Sequence, residues 1–410
     1  MKNTKTSVKV AVAIAVGALA VQSSAWALGF RNPDQGAKAT GQGEAFAAQA
    51  DDASAIYYNP AGLTQVKGTQ FTSGSYLSLP TIKFQIDAGG SVKADDQLVM
   101  LPHAYVATDL GLERWRFGLG VNVPFGNKID YGTTSKFQFL VTRSEMAVFN
   151  IAPSVAYQVN DQLSVGVDLN IYAGSTKVQK NNHPLAGGGV FQFDGSGVGV
   201  GATVGLLWKP NDQHSVGLVY RSPFRITFEG DAVLDGHALY GTVAAAAEAT
   251  LAFPQTVTLG YAFRPTPRLK LEADIEWTDW STLNTVELHS PSVFFDGQPT
   301  PFNWRSSFFY EFGAQYEIND RWTVRGGYIF SENTVPTPEP TVPDSDRHVF
   351  SAGLTFNHGR WNVNATYQFS YSARRNQTID TDGPLIPGGE LTGQWRNTGH
   401  ALMLTTTMHF

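Results

Sequence analysis

From residue 69 onward the chain alternates. Leu269, Leu271, Ala273, Ile275 and Trp277 form one apolar set, while Lys270, Glu272, Asp274 and Glu276 stand between them. After Arg360 the pattern returns, with Trp361, Val363, Ala365, Tyr367, Phe369 and Tyr371 against Asn362, Asn364, Thr366, Gln368 and Ser370. A period of two places the two sets on opposite faces of a strand. Strand candidates recur from Thr69 to the last residue, where Leu402, Leu404, Thr406, Met408 and Phe410 alternate again. Many of these runs exceed the roughly six residues usual in soluble sandwiches. They fit tilted strands that cross a bilayer. Trp115, Trp208, Trp277, Trp322 and Trp361 fall beside turns or strand ends, where interfacial girdles favour amphipathic rings.

The connections alternate in length. Short polar turns are read at 109–114, 160–162, 209–213, 264–268, 319–321 and 357–360, and longer loops at 87–96, 126–143, 180–196, 231–251, 290–303, 331–347 and 374–397. In outer-membrane barrels the short turns face the periplasm and the long loops face outward. These breaks predict an all-β, transmembrane antiparallel β-barrel of about fourteen strands, an even number that leaves both ends on the periplasmic side. The last strand must pair with the first, because an unpaired edge in lipid is costly.

Two segments precede the strands. Residues 1–27 carry Lys2, Lys5 and Lys9, an apolar run from Val10 to Val21 and Ala25-Trp26-Ala27, the order of a secretory signal cleaved after Ala27. Residues 28–66 are rich in Ala, Gly and polar residues and read as a compact plug inside the lumen of the barrel formed by 67–410. Without the three signal lysines, 26 basic residues face 35 acidic ones, a net charge of −9 that argues against a nucleic-acid partner. With no cysteine there are neither disulfides nor thiolate metal sites. Past the signal no apolar run approaches the roughly 20 residues of a membrane-spanning helix. A soluble secreted β-protein or a transmembrane barrel remains.

No enzyme motif is present: Gly-x-Ser-x-Gly, His-Glu-x-x-His and a Walker loop are all missing, and Gly187–Gly189 lacks a strand-then-helix setting. The nine histidines are scattered. Asn59-Pro60 is a turn signal, since Pro60 fixes its own φ and biases Asn59 away from helix. Asp51 and Asp52 are either solvated or, inside a lumen, paired with wall donors or cations; the paired reading is preferred. Val123-Pro124-Phe125-Gly126 interrupts a strand that begins near Arg116. Proline removes a ladder donor and glycine tolerates bends, so the strand either kinks or ends there.

These residues resemble the FadL-type transporters of hydrophobic compounds in the Gram-negative outer membrane, among them long-chain fatty acid transporters and aromatic-hydrocarbon channels. In the plug the resemblance rests on Gly29-Phe30, Gly41-x-Gly43, Ala50-Asp51-Asp52-Ala53 and Asn59-Pro60-Ala61. In the barrel it rests on Tyr220-Arg221-Ser222 with Phe228 and Gly230, Pro254 with Gly260-Tyr261, Thr278-x-Trp280-Ser281, and Pro343-Asp344-x-Asp346-Arg347. It implies plug residues Phe30, Asp51, Asp52, Asn59, Pro60 and Ala61, and a lateral gate at Pro124, Phe125 and Gly126, with Gly126 on the kink. Lys180 and Arg305 fall near basic positions of the family's inner pocket. The Ala-rich run Val243 to Ala249 is expected as a short helix over the entrance, and the loops from Lys180 and Asp231 are shorter than in the fatty acid prototype. The implied function is passive uptake of long-chain fatty acids or other hydrophobic molecules, released sideways into outer-membrane lipid by a monomer, with no cofactor and no metal. Phe410 resembles the terminal aromatic by which barrel assembly machinery recognises its clients. A general porin and an outer-membrane lipid hydrolase are the rival classes.

Overall fold

Alternation decides the architecture, and the sign of burial decides its surroundings. The computed structural model describes residues 29–337, 339–382 and 389–410; the expected signal segment lies outside the described residues. Fourteen antiparallel staves close a single cylinder. The first seven are β1 (Thr69–Ile86), β2 (Val99–Thr108), β3 (Trp115–Asp130), β4 (Arg143–Gln158), β5 (Leu163–Asn181), β6 (Val190–Trp208) and β7 (His214–Arg221, continuing as Phe224–His237). Then come β8 (Gly241–Phe253 and Thr256–Thr266), β9 (Leu269–Thr278), β10 (Ser307–Glu317), β11 (Trp322–Ser331), β12 (Arg347–His358), β13 (Trp361–Ser372 and Arg375–Asp380) and β14 (Glu390–His409). The ring closes by unbroken pairing of β1 with β14, from Gln70↔His409 to Ile86↔Gly393.

Leu402 and Leu404 are 61% and 57% exposed, whereas Thr405 and Thr407, just beyond them on the other face of the strand, are 3% and 4% exposed. A soluble sandwich would bury the leucines. A greasy outside and a polar inside fit a barrel whose solvent is lipid. Trp115, Trp208, Trp322 and Trp361 are exposed at stave ends beside the short turns, forming a ring at one interface.

Two expectations are corrected. Val243–Ala249 is not a helix: it belongs to β8 and pairs with β7 through Val243↔Leu234, Ala246↔Asp231 and Ala249↔Phe228. Alanine's weak preference for strands is overridden once a neighbouring ladder supplies every partner. Several outer loops are also shorter than read, because the staves continue past the apolar band. β5 and β6 stay paired to Asn181↔Val190, and residues 238–240 alone separate β7 from β8. Each extension satisfies its neighbour's backbone groups, so the ladder has no reason to stop at the membrane.

Residues 29–66 fold inside the cylinder as short turns of helix, Ala37–Thr40, Ala55–Tyr58 and Pro60–Gln65, and nearly all are buried. The wall is shaped to receive them. Glycines pair across staves as Gly166↔Gly205, Gly217↔Gly260 and Gly313↔Gly327. A Cβ on Gly205 would stand 2.1 Å from Asn59 Oδ1, one on Gly217 2.1 Å from Ala47 O, and one on Gly327 2.1 Å from Gln42 C. Only a wall without side chains admits the plug backbone at these points.

Candidate functional site: a plugged apolar column beside a gap in the wall

The inward polar face of β9 holds the plug. Asp274 Oδ2 accepts the backbone N–H of Phe46 (3.0 Å) and Ala47 (2.8 Å), and Glu272 Oε1 accepts those of Ala48 (2.7 Å) and Gln49 (3.1 Å). One stave thus caps four successive backbone donors of the plug and anchors its middle. Asn59 anchors the end: its Nδ2 donates to Ala47 O (2.7 Å) and to Leu206 O on β6 (3.0 Å), and its Oδ1 accepts Ala61 N–H (3.1 Å). Asp51 is bound by Lys38 and, at 3.1 Å, by Lys270; Lys38 also lies 3.7 Å from Asp52. Burial works against the Asp51 charge, but the two ammonium groups outweigh it and hold the carboxyl well below its usual range. The plug carboxyls of Asp34 and Glu44 are pushed up by burial.

The wall is incomplete between β2 and β3. They pair only from Ala104↔Val121 to Thr108↔Phe117, so Val99–His103 of β2 are paired to β1 alone. Five residues at roughly 3.3 Å each leave an unpaired edge about 16 Å long. Its cause lies in β3. Between Asn122↔Asn150 and Phe125↔Val148, Val123 and Pro124 together face the single Phe149, a β-bulge that bends the stave inward. From Asn122 to Ile129 every residue of β3 is buried and alternation is lost. The irregularity sits at Val123–Pro124; Gly126 is back in register, opposite Ala147. Beyond the gap the wall is rejoined by Asp95 N–H donating to Asp130 O (2.8 Å). Val99, Leu101, Val123 and Phe149 pack in one apolar cluster at this opening.

The tip of the plug takes the place of the missing neighbour. Gly126 N–H donates to Phe30 O (2.7 Å), Asn32 N–H donates to Pro124 O (2.8 Å), and the Gln35 amide both donates to Val123 O (3.0 Å) and accepts from Val123 N–H (3.2 Å). Above the tip stands an apolar column. Phe30 packs against Trp304 (ring centroids 4.8 Å apart) and Trp280 (6.1 Å); Phe125 packs against Phe253 (5.0 Å) and Phe224 (5.7 Å). The same cluster continues through Ile226, Phe228, Phe193 and Leu234 to Phe295 in the outer loops. From the loop that follows Ser331, Val335 and Val342 join the cluster. Asp344 Oδ2 accepts Thr334 N–H (2.9 Å) and pins that loop.

Below Phe30, Arg31 Nη2 donates to Glu276 Oε2 (2.8 Å), and Arg221 Nη1 lies 3.9 Å from the same oxygen. Arg221 also donates to Tyr57 O and covers the Tyr57 ring at 4.8 Å. A cavity lined by Arg31, Arg221, Pro124, Phe125, Tyr172 and Thr256 offers only about 20 Å³ to the centre of a water molecule, room for one or two waters. In this state the column is stoppered.

The structure therefore brings Phe30, Pro124, Phe125 and Gly126 together at one point and places Asp51, Asp52, Asn59, Pro60 and Ala61 in the anchored body of the plug. Lys180 and Arg305 are not among the residues that line the base of the column. Lys180 is at the outer end of β5 opposite Phe191, and Arg305 is exposed and donates to Asn333 Oδ1 (3.0 Å). The cations at the base of the column are Arg31 and Arg221, which sequence reasoning did not single out as binding groups. The signal was present: Arg31 follows Phe30 directly, and Arg221 lies within the Tyr220-Arg221-Ser222 motif.

A closed barrel with a lipid-facing exterior, an internal plug and an interrupted wall defines an outer-membrane protein of the channel class. A model of the family described as outer membrane protein transport protein (OMPP1/FadL/TodX) matches residues 18–410. The chain belongs to that family. It is 26% identical over 405 residues to a putative outer membrane protein of Neisseria meningitidis serogroup B, covering 85% of this chain and 86% of that one. It is 22% identical over 460 residues to the long-chain fatty acid transport protein of Escherichia coli K12, covering 99% and 98%. Among solved structures it resembles a Pseudomonas aeruginosa FadL homologue (TM-score 0.84, 21% identity, 93% and 100% covered) and the Pseudomonas putida toluene transporter TodX (0.72, 18%, 88% and 94%).

Proposed function

We infer that the protein takes up hydrophobic molecules passively, long-chain fatty acids foremost, and releases them sideways between β2 and β3. The observation that carries this reading is the continuity of the apolar column from the outer loops to Phe30 and Phe125, at the bulge where wall pairing stops. Each methylene transferred from water to an apolar surface gains about 0.8 kcal/mol, so a long chain enters the column without a coupled energy source. The anchored plug body blocks the straight path. The tip at 30–35 is held chiefly by the kinked stretch 123–126 and by the Arg31–Glu276 pair and lies against the gap; its displacement opens column and gap together. The gap is greasy at Val99, Leu101, Val123 and Phe149, so an apolar chain passes into lipid without meeting the aqueous periplasm. The plug body at 36–66 stays in place, since Asp274, Glu272 and the glycine pits hold it.

An aromatic hydrocarbon is the second substrate reading, favoured by the Phe and Trp lining of the column and by the likeness to the toluene transporter. The test is uptake in a Gram-negative strain that lacks its own transporter of this family, complemented with this chain. Labelled oleate, toluene and a small sugar are compared. Oleate or toluene uptake above background with no sugar flux supports the reading; sugar flux alone would make the protein a general porin, and lipid cleavage by the purified protein would make it a hydrolase.

A further inference from the structure

Above the apolar band the outer surface of the β1–β14 seam turns cationic. Its outward positions run Leu77↔Leu402, Leu79↔His400, Thr81↔Thr398 and Lys83↔Arg396, while the intervening Ile82, Phe84 and Trp395 are buried on the inner face. On the other side of β1 a short strand, Ser91–Lys93, sets Lys93 opposite Lys83. Three cations thus stand side by side on one outward face. Arg374 is exposed at the break in β13, where residues 372–374 lie across from Arg396 and Asn397. Like charges directly opposite on neighbouring strands destabilise a sheet, and here little on the protein relieves them. Lys93 pairs with Asp96 (2.6 Å), but among the described residues no carboxylate pairs with Lys83, Arg374 or Arg396, and Arg396 reaches only Gln394 Oε1 (3.5 Å). The patch is local. On the far side of the ring the outward positions are acidic, with Asp194 opposite Asp231 and Glu248 opposite Glu229.

The height of the patch is fixed by its neighbours. Phe369↔His400 and Tyr371↔Thr398 carry an aromatic belt across β13 and β14, joined by the hydrogen bond between Tyr367 OH and His400 Nδ1 (2.8 Å). Such belts mark the boundary between acyl chains and headgroups. Arg396 lies one outward step past Thr398, roughly 7 Å farther along the strand. The tryptophan ring and the short turns are at the opposite end of the staves, so this is the headgroup level of the outer leaflet. We propose that Lys83, Arg374 and Arg396, with Lys93 beside them, bind the phosphate of an outer-leaflet glycolipid whose acyl chains lie along Leu77, Leu79, Leu402 and Leu404. The guanidinium groups match phosphate in paired hydrogen bonds, and Lys83 adds a point charge between Lys93 and Arg396. An anion at this place relieves the repulsion across the seam. The leucines below distinguish a lipid from a free phosphate: they are 37–61% exposed on the same two staves and the same face.

The experiment is native mass spectrometry of the purified full chain in non-ionic detergent with EDTA present, which removes bridging divalent cations. Three probes are compared: bisphosphorylated lipid A, the same glycolipid stripped of its phosphates, and inorganic phosphate. Wild type is expected to bind the phosphorylated glycolipid at least about tenfold more tightly than the stripped one, with a preference that shrinks as salt is added. The double variant Lys83→Gln/Arg396→Gln should lose most of that preference. Lys177→Gln, which removes an outward cation paired with Asp194 outside the patch, should keep it. Heat-modifiable gel mobility verifies that each variant is a folded barrel. Equal affinity for the two glycolipids, or a preference unchanged in the double variant, overturns the proposal. Displacement of the glycolipid by an equal concentration of inorganic phosphate reduces the patch to an adventitious ion only. Dimers or longer rows that form without lipid and vanish in the double variant would assign the patch to the acidic flank of a second copy instead.

Discussion

Phe30 is where the proposed opening motion is most exposed to measurement. It is 7% exposed and wedged between Trp304 and Trp280, so its truncation to Ala removes nearly a whole buried aromatic ring. Phe→Ala changes at such sites cost about 3–5 kcal/mol. Little of that cost should fall on the barrel, whose closure runs through the β1–β14 seam far along the chain. It falls on the docking of the tip. At about 1.4 kcal/mol per tenfold, the equilibrium between docked and undocked tip moves by roughly two to three and a half powers of ten. The amides to watch are Gly126, which donates to Phe30 O, and Asn32, which donates to Pro124 O. Amide hydrogen exchange in detergent micelles should show both losing at least about a hundredfold in protection in Phe30→Ala. Amides of the β1–β14 seam should be unchanged. Protection of Gly126 and Asn32 equal to wild type would refute independent docking of the tip, and equal loss at the seam would show that tip and barrel unfold as one.

Other positions answer to the same geometry. Gly205→Ala puts a methyl 2.1 Å from Asn59 Oδ1 and should lower urea stability by about 1–3 kcal/mol; in an Asn59→Ala background the added cost should shrink, a coupling read from a double-mutant cycle. Asp344 has its carboxyl raised to about 7, by burial first, against the opposing bond from Thr334 N–H. Because the folded value lies above the unfolded one of 3.8, the native loop is favoured at low pH. That advantage is complete below about pH 4 and is lost as pH rises through 7. Exchange at the Thr334 amide should therefore reveal more opening of the loop at pH 8 than at pH 5, beyond the intrinsic pH dependence, and Asp344→Asn should abolish the difference.

The barrel was legible because its signal is local: alternation along Leu269–Trp277 assigns the inward set Lys270, Glu272, Asp274 and Glu276 without reference to any other stave. What those groups do was not legible. Asp274 and the Phe46 amide it holds are 228 residues apart, and closure of the ring alone brings them together. The same holds for Arg31 and Glu276, separated by 245 residues. Val123-Pro124-Phe125-Gly126 was readable as a break, since proline costs a donor wherever it falls. Its centre was not, because a bulge is defined by what stands opposite, here the lone Phe149. The alanine run misled for a related reason: composition speaks for the isolated segment, while the ladder offered by β7 speaks for the assembled sheet. Pro102 carried a quieter signal. It lies in the part of β2 that lacks a second neighbour, where the missing N–H is least costly.

The central claim is lateral passage through the interrupted wall, and deletion of Pro124 tests it most directly. Removing one residue leaves Val123 alone opposite Phe149, restores the register between Asn122↔Asn150 and Phe125↔Val148, and frees β3 to run straight beside β2. The account predicts a folded, membrane-inserted barrel whose oleate uptake falls to the level of the empty strain. Uptake equal to wild type in that folded variant would contradict it.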